Sequence, residues 1–121
     1  MPEQRYAVAQ VGEISPGQRK IVEVGGRSIG VFNVNGSFVA VLNVCPHEGA
    51  PVCLGRVTGT MLSSAPGEFK WGREGEILAC PWHGWEFDLT TGKCLTDRRK
   101  LRRFSVMVEG DTVYLTIPGA R

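Results

Sequence analysis

The stretch Ser28-Ile29-Gly30-Val31-Phe32-Asn33-Val34-Asn35-Gly36-Ser37-Phe38-Val39-Ala40-Val41-Leu42-Asn43-Val44 decides the fold. Asn35-Gly36 is the strongest turn signal in the chain. Both central residues of a type I′ turn need positive φ, which Asn and Gly reach at least cost. The runs on either side are rich in Val, Ile, Leu and Phe, residues that suit a pleated, half-buried surface. Residues 28–34 and 37–44 are therefore predicted to pair as a β-hairpin, with Ile29, Val31 and Phe32 in the core.

The same texture extends outward. Residues 5–11 alternate loosely before a Ser15-Pro16-Gly17 turn. Residues 20–24 read as a strand closed by Gly25-Gly26. At the other end, 104–109 and 112–117 flank a Gly110-Asp111 turn. No stretch sustains helical periodicity. Short strands with frequent turns predict an all-β domain, an antiparallel sandwich or barrel. The texture changes between them. From Cys45 onward Pro and Gly are dense, and 56–76 reads as loop with at most one short strand. Residues 76–79 form a strand leading into Cys80. In 85–89, Trp85, Phe87 and Leu89 share one face. The expectation is one domain over 1–121. A scaffold (about 1–43 and 95–121) carries an inserted unit (about 44–94).

Composition narrows the function. With 121 residues, 42% hydrophobic and 21% charged, the chain can bury a core without disulfides. A net charge of +2 is too small to argue for nucleic acid. No apolar run approaches the roughly 18 residues of a membrane span. The start, Met1-Pro2-Glu3-Gln4-Arg5, lacks the layout of a secretory signal, so a reducing cytoplasm is the expected location. There, four Cys point to metal, catalysis or packing rather than to disulfides.

One internal echo carries chemistry. Cys45-Pro46-His47-Glu48-Gly49 is repeated in outline as Cys80-Pro81-Trp82-His83-Gly84. Both His of the chain fall in these copies, each close behind a Cys. Two Cys and two His make four metal ligands. A structural Cys₂His₂ zinc module is one reading, although zinc spacings commonly pair Cys with Cys and His with His. Here each loop mixes the two.

That mixed pattern resembles the Rieske iron–sulfur family. Its 2Fe–2S cluster has two Cys on one iron and two His on the other. Cys45-Pro46-His47-Glu48-Gly49-Ala50-Pro51 is similar to the family's first cluster loop. Cys80-Pro81-Trp82-His83-Gly84-Trp85-Glu86-Phe87-Asp88, with Thr91-Gly92, is similar to its second. The resemblance implies one 2Fe–2S cluster held by Cys45 and Cys80 on the inner iron and by His47 and His83 on the outer. It implies Pro46 and Pro81 as stiffeners, and Gly49 and Gly84 as close-approach points whose amides donate to cluster sulfurs. His47 and His83 would lie nearest the surface.

There are departures. The cytochrome-complex branch carries a loop disulfide where Ala50 and Trp82 stand here, and hydroxyls where Trp85 and Phe87 stand. Hydrogen bonds to the sulfurs raise the potential, so a low potential is expected. Thirty-two residues lie between His47 and Cys80. That is more than in many members, and the extra 58–76 should form a loop or an added hairpin near the cluster.

The implied function is a Rieske-type ferredoxin. It passes one electron between redox partner proteins, a reductase and a terminal oxygenase or reductase. The alternative within the family is the small subunit of a reductase such as an NADH-dependent nitrite reductase. With both His taken, neither a nucleophile–base pair nor a two-His, one-carboxylate iron site is available, so the chain reads as a carrier rather than a catalyst. Cys53 and Cys94 are expected as buried thiols, not as a disulfide. The run Arg98-Arg99-Lys100 with Arg102-Arg103 is either a solvated edge or a surface that steers an acidic partner.

Overall fold

The computed structural model describes residues 4–46, 49–62, 70–82 and 85–118, with 60–62 and 70–71 described by their backbone. Nine strands account for its regular structure: β1 (Gln4–Gln10), β2 (Arg19–Val24), β3 (Arg27–Val34), β4 (Ser37–Leu42), β5 (Arg56–Leu62), β6 (Lys70–Ala79), β7 (Glu86–Asp88), β8 (Arg103–Glu109) and β9 (Thr112–Ile117). Single 3₁₀ turns cover Val11–Glu13 and Val52–Leu54. The expected all-β antiparallel architecture is present. Six strands form one sheet in the order β1-β9-β8-β4-β3-β2, and β5-β6-β7 form a second. The six-stranded sheet curls so that its edges approach. Lys20 on β2 donates from Nζ to the Val8 carbonyl of β1 at 2.9 Å.

The hairpin predicted from Asn35-Gly36 is β3–β4, paired from Ile29↔Leu42 to Val34↔Ser37. Asn35 has φ 53° and Gly36 φ 97°, as a type I′ turn requires. The hairpin is apolar nearly throughout because it is a wall between two cores. Ile29, Val31 and Ala40 face Ile14, Phe104, Val113 and Leu115. Phe32, Val34, Val39 and Val41 face Val52, Leu78, Phe87 and Leu89. A strand buried on both faces loses the polar half of its alternation.

The stretch 56–76, read as mostly loop, is the main correction. It forms β5 and most of β6, a long antiparallel hairpin, which is the added hairpin that the chain length allowed. Pairing runs from Arg56↔Ala79 to Thr58↔Ile77 and resumes at Thr60↔Gly72. Residues 73–76 thus bulge out opposite Gly59, with Arg73 at φ 58° and Gly75 at φ 86°. A bulge of this size breaks the period-2 pattern, and the glycines read as punctuation.

The bulge is anchored electrostatically. Arg73 donates from Nε to Glu76 Oε1 at 2.7 Å and from Nη2 to Asp88 Oδ2 at 2.8 Å. Asp88 Oδ1 also accepts from the Thr90 amide and hydroxyl at 2.8 and 2.6 Å. Burial alone raises the pKa of Asp88, but the Thr90 and Arg73 hydrogen bonds outweigh it and hold the carboxyl below its ordinary value. A carboxyl whose pKa is lower when folded adds stability that is fully present above its unfolded pKa, about 4. That stability is lost as pH falls through the folded pKa. In denaturant titrations, Asp88→Asn is expected to cost about 1–3 kcal/mol at pH 7. The parent and variant curves should converge on acidification below about pH 4. A gap that stays constant with pH would remove the carboxylate from this role.

Among the described residues no helix is long and apolar enough to cross a membrane.

Candidate metal centre

The two echo loops have the same backbone closure. The Cys45 amide donates to the Ala50 carbonyl at 2.7 Å, and the Cys80 amide to the Trp85 carbonyl at 2.7 Å. Each loop is therefore tied between its Cys and the residue five positions later. The first loop leaves β4; the second joins β6 to β7. Both cysteines are buried, at 1% and 3% exposure, and lie in one apolar cluster with Val52, Leu78, Phe87 and Leu89. His47 and His83, the expected ligands of the outer iron, lie outside the described residues, as do Glu48 and Gly84.

Residues beyond the echo position the first loop. Asn43 Oδ1 accepts the Cys53 amide at 2.8 Å, tying the 3₁₀ turn after the loop to the strand before it. Arg19 on β2 reaches over with Nη1 and donates to the carbonyls of Cys53 and Gly55. Gly30 leaves room for Cys53: a Cβ there would lie 2.4 Å from Cys53 Sγ. Gly55 lets the turn touch the end of β6: a Cβ there would lie 1.8 Å from the Ala79 carbonyl oxygen. Ala79 directly precedes Cys80, so this contact sets one cysteine loop against the other. Sequence reading missed these four residues. Gly30 carried a signal, since an isolated Gly within a strand marks a close approach.

Cys53 and Cys94 are buried and unbridged. Burial pushes the Cys53 thiol up to about 12, with the Gly30 amide and Arg19 acting in the other direction. The Gly49 amide donates to the Cys45 carbonyl at 2.8 Å, inside the loop. Its φ of 77° shows that the position needs the left-handed backbone. Phe87 and Leu89 are buried together with Trp85 packed beside them, whereas Trp82 is 58% exposed. Leu54 is 65% exposed. It lines an open cavity of about 270 Å³ with Gly55, Arg56, Ala79, Cys80 and Pro81.

Cys45 and Cys80 are the described donors, and thiols are the donor type an iron–sulfur centre takes; among the described residues no three metal-ligating side chains come together. A coordinating metal deprotonates thiols and neutralises the charge that burial penalises. Fold and loops together define a small antiparallel β domain that buries one cysteine on each of two matching loops. The comparisons are specific. A family model for the Rieske [2Fe-2S] domain matches residues 4–105. The chain is 30% identical over 95 residues to the 3-phenylpropionate/cinnamic acid dioxygenase ferredoxin subunit of Escherichia coli (strain K12), covering 77% of this chain and 76% of that one. It is 33% identical over 111 residues to apoptosis-inducing factor 3 of Homo sapiens, covering 90% of this chain but only 16% of that protein. Among solved structures, the ferredoxin of carbazole 1,9a-dioxygenase from Nocardioides aromaticivorans IC177 superposes with a TM-score of 0.73 at 25% identity, over 95% of this chain and 98% of that one. The chain belongs to the Rieske [2Fe-2S] family, and its cofactor is one 2Fe–2S cluster. The zinc reading falls with that finding.

Proposed function

We propose that the chain is a Rieske-type ferredoxin, an electron carrier and not itself an enzyme. It serves an oxygenase or similar redox system by taking one electron from a reductase and passing it to a terminal enzyme. Cys45 and Cys80 hold the inner iron and His47 and His83 the outer. The unit over about 44–94 binds the cluster, and 1–43 with 95–121 supports it in a single domain. The cytoplasm is its place. The observation that carries this reading is the closure of the Cys45 and Cys80 loops by the same backbone bond, with both cysteines buried, on a fold similar to that of a dioxygenase ferredoxin. The cluster supplies reversible one-electron chemistry. The protein's residues exclude water and hold the two loops in register.

Anaerobic purification followed by metal analysis and a redox titration tests it. Two irons and two sulfides per chain are expected. The midpoint should lie toward the lower end of the roughly −150 to +300 mV range of such centres. The positions that carry hydroxyls in the high-potential branch are Trp85 and Phe87 here. A midpoint well above about +100 mV, high in that range, would rule out the low-potential carrier.

A further inference from the structure

Charge is unevenly distributed along the chain. Residues 93–103 hold six cations, Lys93, Arg98, Arg99, Lys100, Arg102 and Arg103, and one carboxylate, Asp97. The rest of the chain holds eight cations and eleven carboxylates. A segment of net charge +5 is thus mounted on a body of net charge −3. All six cations are exposed, while Leu101 and Cys94 between them are buried as anchors. Among the described residues, the segment's ion pair is Arg99 Nη1 to Asp97 Oδ2 at 3.4 Å.

The segment is not a loose tail. The Leu101 amide donates to the Gly92 carbonyl at 2.7 Å, and the Cys94 amide to Arg99 at 3.1 Å. On one side it is pinned to β7, through the Asp88 amide to the Lys93 carbonyl at 2.8 Å and the Leu95 amide to the Glu86 carbonyl at 2.9 Å. On the other it is pinned to β4, through the Leu42 amide to the Arg102 carbonyl at 2.9 Å. These are the strand that follows the second cysteine loop and the strand that precedes the first. The Arg99 guanidinium lies 5.7 Å from the centre of the Trp85 ring, and Trp85 closes the second loop. The positive face therefore abuts the metal centre. A purely solvated edge would need neither this rigidity nor this concentration of one sign.

We infer that 93–103 is the docking face for a redox partner whose own docking surface is acidic. The inference rests on the carrier reading and adds to it the charge of the partner. Opposite charge beside the centre raises the encounter rate and orients the partner with the electron path short.

The test uses the reduced holoprotein with two haem proteins of opposite surface charge, acidic cytochrome b5 and basic cytochrome c, in stopped flow. Over an ionic strength of about 0.01 to 0.3 M, the rate to cytochrome b5 is expected to fall about tenfold. The double variant Arg98→Glu/Lys100→Glu, with its visible spectrum retained, should lose most of the low-salt rate to cytochrome b5. It should gain rate to cytochrome c. Arg98→Lys/Lys100→Arg should match the parent. A rate to cytochrome b5 indifferent to salt and to charge reversal overturns the docking face alone. So does tighter binding to duplex DNA or phosphatidylserine vesicles than to cytochrome b5, abolished by the same reversal. Failure of the reduced parent to pass electrons even to ferricyanide overturns the carrier reading beneath it.

Discussion

Cys80→Ala is expected to yield a colourless protein whose iron falls from two per chain to near none, and Cys45→Ala the same. Cys53→Ala and Cys94→Ala should keep both irons and the visible spectrum. All four cysteines are buried in the same apolar cluster, so burial does not separate them; their backbone settings do. Cys45 and Cys80 each open a loop closed by a bond to the residue five positions on. Cys53 lies in a 3₁₀ turn with its thiol packed on Gly30, and Cys94 pairs with Phe87 as an isolated bridge. Removing a thiolate leaves an iron without its ligand, whereas shortening Cys53 leaves a small cavity and costs about 1–2 kcal/mol. His47→Ala or His83→Cys should abolish the Rieske electron paramagnetic signature. A full complement of iron in Cys80→Ala, or its loss in Cys53→Ala, would overturn the ligand assignment.

Gly55→Ala is expected to be the most damaging single methyl in the described chain. The added Cβ would stand 1.8 Å from the Ala79 carbonyl oxygen, 2.9 Å from the Ala79 carbonyl carbon and 3.1 Å from the Val52 carbonyl oxygen. These are backbone atoms, so no side-chain rotation relieves the overlap. The 3₁₀ turn must part from the end of β6, opposing Arg19, whose guanidinium holds the Cys53 and Gly55 carbonyls. Overpacking of this kind costs about 3 kcal/mol or more, a fall in Tm on the order of 10 °C. Because Ala79 precedes Cys80, cluster loading should fall as well. Gly12, with no atom within 4 Å of its Cβ position, supplies the control: Gly12→Ala should leave Tm and iron content near the parent values. A Gly55→Ala protein as stable as Gly12→Ala would show that the two loops are held together by something other than this contact.

The contrast between those two glycines shows where local pattern stops being informative. Nothing around Gly55 in the sequence distinguishes it from Gly59 or Gly12. Its importance is the passage of another backbone, more than twenty positions away, at van der Waals distance. In the sequence the 56–76 stretch reads as either loop or added hairpin for a related reason. Its alternation is interrupted by the four-residue bulge at 73–76, which Asp88 and Glu76 stabilise through Arg73. By contrast, the β3–β4 hairpin was readable because everything that specifies it is local: a turn needing positive φ at two adjacent residues, flanked by β-formers. The cysteine–histidine loops were readable because ligand chemistry demands particular side chains at short spacing.

The sequence by itself therefore determined the all-β class, the central hairpin and the family to which the two loops belong, since each is written in neighbouring residues. The tertiary structure alone decided the matching closure of the loops and the burial of both cysteines in one cluster. It also decided the clamp formed by Arg19, Asn43 and Gly55, and the mounting of the basic segment between β4 and β7. Those features are contacts between segments far apart in the chain. They exist only where folding brings one backbone close enough to another to exclude a methyl group or to satisfy a carbonyl.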